Sequence, residues 1–300
     1  MSRPLLFAVL SVAAVGSAFA ALMLGTYPIS AAQALDGIFH PTPGMVHDVI
    51  WQLRAPRAAA AFACGGLLAL AGALLQVLLR NALADPYILG VSSGASFGAL
   101  LALTLGAGAL LMNAVALGGA LAAIVIVFGL SFRSGDWNVY RLLLTGVVLA
   151  TGLSALVSLL LVMAPQAQVK GMLFWLMGDL AYAGSPAAAW IVLGGLVLYG
   201  VARATELDLL GLGQIKARSL GVAVTSLQIG VFFAAAIATV AAVMLGGAIG
   251  FVGLMVPHAI RLLGVAEHRA LLPLAVLLGG GFLTLADTVA RTLWAPQQLP

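Results

Sequence analysis

The sequence predicts an all-α polytopic membrane protein, and three observations carry that prediction. Of its 300 residues 63% are hydrophobic and 7% charged, with a mean hydropathy of +1.16; a soluble domain carries about a quarter charged residues. The apolar residues gather in runs close to the ~20 that a membrane helix needs. The basic residues stand singly at the ends of those runs, so the net charge of +4 is no nucleic-acid footprint. A water-soluble enzyme and a nucleic-acid-binding protein are both excluded. The single cysteine, Cys64, lies inside an apolar run and can form no disulfide within the chain.

Nine spans are expected in one transmembrane domain over residues 1–300. The first, Leu5–Leu24, resembles a signal peptide, but the apolar run continues past Ala18-Phe19-Ala20 and reads as an uncleaved helix. Thr26–Gln52 is expected outside the membrane, with one short interfacial helix. Span two is Ala58–Leu79, opened by Arg54-Ala55-Pro56-Arg57; Gly65, Ala69 and Gly72 give it a small face that suits a place among neighbours. The stretch Arg80–Ser96 then breaks the apolar pattern. Asn81, Asp85 and Pro86 favour a turn, and Gly90, Gly94 and Gly98, four apart, offer a face for close helix packing.

Span three runs from Val91 to about Leu105 and span four from about Val115 to Leu130. A polar loop, Arg133–Asn138, leads to span five, Leu142–Met163. Pro165–Ser185 is too short to cross and reads as an interfacial or re-entrant element. Span six is Ala187–Val201. Arg203–Gly221 mixes charge with Leu207, Leu209, Leu210, Leu212 and Ile215; it suits a surface-lying amphipathic helix or, the favoured reading, a docking helix for a partner. Spans seven, eight and nine are Val222–Leu245, Ala248–Leu263 and Leu271–Trp294.

Nine basic residues fall on one side (Arg3, Arg80, Arg133, Arg141, Arg203, Lys216, Arg218, Arg261, Arg269) and four on the other (Arg54, Arg57, Lys170, Arg291). The positive-inside rule then puts the N-terminus, the 80–96 break and the 203–221 loop in the cytoplasm. A faint repeat of opposite orientation joins residues 65–98 to 230–263, a pattern known from transporters.

Gly90-Val91-Ser92-Ser93-Gly94 fits the serine-hydrolase G-x-S-x-G pattern, yet an Asp-Pro turn precedes it where that motif needs a strand, so packing or hinge motion is the better reading. Neither lysine closes a nucleotide-binding loop, so any ATPase must be a separate subunit. The four histidines have no metal-ligand spacing, and neither metal nor cofactor is expected. Asp287 and Arg291 suit a helix salt bridge; equally, Arg291 with Arg54 and Arg57 suits a cationic rim at the outer mouth.

Several segments together resemble the permease family of iron-chelate and vitamin B12 ABC importers: Arg54-Ala55-Pro56-Arg57, Gln76 with Arg80–Pro86 and Leu89–Ala95, Leu220-Gly221-Val222, Ile249–His258, and Ala286-Asp287 with Arg291. The resemblance implies a type II ABC importer fold of ten helices and a homodimer. It also implies two cytoplasmic ATPase subunits and a periplasmic substrate-binding protein, in the bacterial inner membrane and among its lipids. It implies that Arg54, Arg57 and Arg291 dock acidic residues of the binding protein and that Asn81 and Leu83 form the cytoplasmic gate. Residues 203–221, with Glu206, Leu209, Leu210, Leu212 and Arg218, would couple to the ATPase. The expected cargo is an iron chelate, haem or a ferric siderophore, with cobalamin as the alternative and a stand-alone secondary transporter as the competing class. Two departures stand out: Ala82 replaces a usual proline, and the sequence ends at Gln298-Leu299-Pro300 where a tenth helix is expected.

Overall fold

In the computed structural model, which describes residues 2–40, 42–133, 136–181 and 183–293, all nine apolar runs are helical. Helix α1 (Arg3–Met23) is followed by α2 (Ala31–Phe39), whose first turn is closed by a capping box between Ser30 and Gln33. Then α3 (Met45–Asp48), a π-helical turn (Val49–Arg54) and α4 (Ala55–Leu78) join into one 34-residue helix. The second half of the expected 26–52 loop is therefore the head of the longest helix. Pro56 reads as a start signal, but the wider π turn just before it accommodates a residue that cannot donate.

A 3-10 turn (Pro86–Leu89) leads into α5 (Val91–Thr104), followed by α6 (Ala109–Ser131). The expected 133–138 loop is a minimal antiparallel hairpin, β1 (Phe132–Arg133) with β2 (Asp136–Trp137), Phe132 opposite Trp137; Ser134 and Gly135 lie outside the described residues. Next come α7 (Val139–Met163), α8 (Gln166–Met177), α9 (Ala187–Ala202), α10 (Ala204–Gly211), α11 (Gln214–Ser219), α12 (Val224–Gly246), α13 (Val252–Leu262) and α14 (His268–Leu293). Trp294, the expected end of the last span, and the chain end at 298–300 lie outside the described residues.

Among the described residues six helices are long and apolar enough to cross a membrane, and a seventh crossing forms if α9 and α10, bent by 64°, count as one. The expected spans three and eight are shorter than a crossing. Helix α5 has 14 residues and α13 has 11, about 21 and 17 Å against an apolar layer of about 30 Å. The loops before them supply the missing length as irregular backbone, buried in part at Ala84, Pro86 and Leu89 and exposed at Gly250 and Phe251. Those two loops meet: the Tyr87 hydroxyl donates to the Ile249 carbonyl at 2.6 Å, and Pro86 packs on Gly253.

Helix α4 forms the centre, with 89% of its apolar window buried, whereas α7 buries 11% of its own. Small residues set this difference. A Cβ at Gly65 would overlap the Gly279 carbonyl of α14, and one at Gly72 the Gly253 carbonyl of α13, so backbones approach directly. Gly94 and Gly98 of α5 sit in the same way against Gly119 and Val115 of α6. Gly90 does something different from what its spacing suggests. It precedes α5 at φ 72°, where a side chain is strained, and an added Cβ would meet only ordinary contacts.

Candidate functional site

The polar side chains gather at the two ends of the bundle. At the end away from the N-terminus, α1 stops without a capping side chain of its own and leaves carbonyls open. Arg54 fills them: its guanidinium donates to Leu22 O at 2.7 Å, to Met23 O at 3.0 Å and to Tyr27 O. Arg291 donates to Ala21 O. Two cations at a helix C-terminus also oppose the negative end of its dipole. Arg57 grips Asp287 in a forked pair, Nη2 to Oδ1 at 2.7 Å and Nε to both oxygens at 3.0 Å.

The three arginines expected at an outer rim are largely buried, each engaged within the chain. Arg54 is 5% exposed, and the Arg57 and Arg291 side chains are 14% and 10% exposed. The reason is local. The open carbonyls of α1 and the carboxylate of α14 lie within reach, and a buried guanidinium must be hydrogen-bonded. The helix pair Asp287–Arg291, four residues apart, is the looser one at 4.0 Å, and the Arg291 Nε atom has no hydrogen-bond partner.

At the N-terminal end, α4 closes in a Schellman motif. The Asn81 amide donates to Gln76 O at 3.0 Å and the Arg80 amide to Val77 O at 3.3 Å. Arg80 takes the left-handed position at φ 49° that glycine usually fills. Asn81 Oδ1 then accepts from the Leu83 amide at 2.9 Å, and the Ala84 amide reaches Asn81 O at 3.1 Å. This is a tight turn whose tip, Asn81-Ala82-Leu83, is exposed, Leu83 at 68%. Ala82 sits at the second turn position, where proline is favoured.

The 203–221 segment lies across this same end. Arg203 holds Glu206 at 2.8 Å. Leu212 and Arg218 are exposed and Leu209 half-buried. Leu210 turns into the core, 1% exposed with Leu207 beside it, so it anchors α10 instead of facing a partner. The helix period decides this, because 207 and 210 share the inner face.

Sequence reading missed the clamp that holds α10. Asp208 Oδ1 accepts both the His268 amide at 2.9 Å and the His268 Nδ1 contact at 2.6 Å. Burial would raise this carboxyl, but the two hydrogen bonds and the charge of His268 outweigh it and the net shift is downward. Gln76 was quoted as part of a motif but given no role. Its amide donates to Leu254 O at 3.2 Å and its carbonyl accepts from Arg261, pinning α13 to α4. Single-letter pattern offered no signal for either, since both partners lie far apart in the chain. Among the described residues no three metal-ligating side chains come together, and Ser92 of the hydrolase-like pattern is buried in α5.

Residues 12–300 match the FecCD transport family. The chain belongs to the FecCD family. This FecCD-family chain is 40% identical over 254 residues to the cobalamin import system permease protein BtuC of Halobacterium salinarum, covering 83% of the chain and 68% of that protein. It is 37% identical over 267 residues to the vitamin B12 import system permease protein BtuC of Escherichia coli O157:H7, covering 84% and 78%. It is 37% identical over 278 residues to the uncharacterized ABC transporter permease protein YvrB of Bacillus subtilis, covering 89% and 78%. Among solved structures it superposes at a TM-score of 0.84 and 30% identity on an inward-facing ABC transporter described as metal-chelate type, over 99% of this chain and 93% of that one. The FecCD-family chain is an ABC importer permease with the type II fold, an integral membrane transport component and not a catalytic subunit.

Proposed function

We propose that this permease imports a bulky metal chelate, and that a corrinoid is the first cargo to test. The solved transporter described as metal-chelate type supports a chelate as the cargo class. The relatives named for cobalamin and vitamin B12 move the reading from an iron chelate toward a corrinoid, with haem and ferric siderophores as the competing cargo. The observation that supports an externally driven permease is the exposed apolar surface of 203–221. Leu212, Ile215 and Leu220 are 61%, 83% and 61% exposed on one short segment that Asp208–His268 clamps to the bundle. Such a surface suits a separate ATPase bound at the cytoplasmic face.

In this reading two copies of the chain enclose the pathway in the inner membrane, N-termini inside. Nucleotide-driven closure of the ATPase pair moves α10 and α11, and the Asn81–Leu83 turn opens or closes below the pathway. A substrate-binding protein delivers cargo at the far end. The stand-alone transporter reading gives way, because the spans hold few charges to couple an ion and the family is one of ABC permeases. The test is reconstitution of the permease with its ATPase and binding protein in proteoliposomes. ATP-dependent uptake of labelled cyanocobalamin, absent with Leu212→Asp, is expected. Uptake of ferric chelates alone would reassign the cargo, and uptake without any ATPase would overturn the proposal.

A further inference from the structure

The far-end cluster holds three guanidinium groups and the Asp287 carboxylate, with Asp179 lining the adjoining cleft. Arg54 and Arg291 direct donors at the carbonyls of α1, so Arg57 is the cation of the three whose forked face goes to a carboxylate. That carboxylate, Asp287, belongs to the same chain and is 9% exposed. Beside the pair opens a cleft of about 130 Å³ lined by Arg57, Asp287, Asp179, Met177, Leu283 and Ala290. A cleft of this size holds several waters, and so has room for the end of one acidic side chain. A second observation concerns where Asp287 could go. Arg291 Nε is buried, has no hydrogen-bond partner among the described residues, and lies 4.0 Å from Asp287 Oδ2. An orphaned charged donor in a buried site is costly to leave unmade, and a small swing of the Asp287 side chain would satisfy it.

We propose that this cleft is a carboxylate-exchange site: an acidic side chain of the substrate-binding protein enters it and takes the Arg57 fork, and Asp287 moves over to Arg291 Nε. Asp287 is then an internal competitor that keeps Arg57 paired, oriented and closed to other anions until the partner arrives. Arg291 is the second seat that makes the exchange cheap, since the Asp287 carboxylate has a guanidinium partner before and after and the orphaned Nε gains one. The inference rests on the reading that a binding protein docks at this end.

The experiment measures the affinity of the cognate substrate-binding protein for the assembled permease–ATPase complex in nanodiscs. With Asp287→Asn the competitor is gone, and binding tightens by about tenfold. With Arg57→Gln it weakens by about tenfold or more. If Asp287→Asn does not assemble, Asp287→Asn with Arg291→Gln restores the charge balance of the cluster and is read against Arg291→Gln alone; the same tightening is expected. Asp287→Asn that weakens docking or leaves it unchanged, while Arg57→Gln weakens it, makes Asp287 a mere support for Arg57 and overturns the exchange while docking stands. An unchanged affinity in Arg57→Gln sinks the docking reading itself, and the exchange with it.

Discussion

Helices α4 and α7 are both long, apolar and span-forming, yet α4 is 89% buried across its apolar window and α7 11%. What separates them is residue size at contact points. On α4, Gly65 and Gly72 meet the backbones of α14 and α13 with no room for a methyl group. On α7, Gly146 meets the Ile88 backbone in the same way, but Gly152 faces open space, so α7 is held close at one point along its length where α4 is held at two. In a solvent of lipid tails there is little hydrophobic gain in moving a helix inward, so close backbone approach decides which helix sits in the middle. Hydropathy finds the spans, and small residues rank them.

The sharpest way to break that contrast is one substitution made twice. Gly72→Ala puts a methyl group onto the Gly253 carbonyl and is expected to cost about 3 kcal/mol or more, or to prevent assembly, read as loss of the monodisperse species in detergent and a lower melting temperature. Wild-type stability there would mean that α4 and α13 do not touch at this point. At the head of the same helix, Arg54→Gln leaves the Leu22 carbonyl without its donor and the Met23 carbonyl with only the longer bond from the Ile29 amide at 3.4 Å. We expect a loss of about 1–3 kcal/mol by denaturant unfolding, and a neutral result would remove the cap from the account. Gly152→Ala on α7 changes sign, with an expected gain of about 0.5–1 kcal/mol from helix propensity alone; a clear loss would show that α7 has a close neighbour in the assembled transporter. The smallest effect is at the tail of α4. Ala82→Pro fits the second position of its turn and should stabilise by about 0.4–1 kcal/mol through the unfolded chain, detected as a small rise in melting temperature. A loss would show that the turn must change shape.

Much of this architecture was legible in the sequence, and the parts that were not share a cause. The small face of Gly65, Ala69 and Gly72 pointed to the middle of the bundle because spacing and size are both properties of one segment. The 80–90 break was visible in Asn81, Asp85 and Pro86 for the same reason. What stayed hidden depends on two segments at once. Arg54, Arg57 and Arg291 read as a rim because their positions at helix ends were known, while the open carbonyls of α1 and the reach of Asp287 were not. Leu210 and Leu212 look alike in composition and differ only in which side of α10 faces the core. The clamp between Asp208 and His268 joins residues 60 apart, and nothing short-range marks either. Spans three and eight looked full length because glycine-rich irregular backbone is as apolar as helix.

Helix α1 is fastened at both ends by the last helix described. Arg3 grips Glu267 at its start at 2.7 Å, and Arg291 takes a carbonyl at its finish. These partners lie 264 and 270 positions later in the chain, so a ribosome delivers the first helix to the bilayer long before it makes what fastens it. Arg54 covers the Leu22 and Met23 carbonyls early in synthesis, but the Ala21 carbonyl and the Arg3 guanidinium wait for α14 and the residue before it. A chain interrupted upstream of α14 therefore holds the polar end of α1 through Arg54 alone, and the ring closes only when the last helix described arrives.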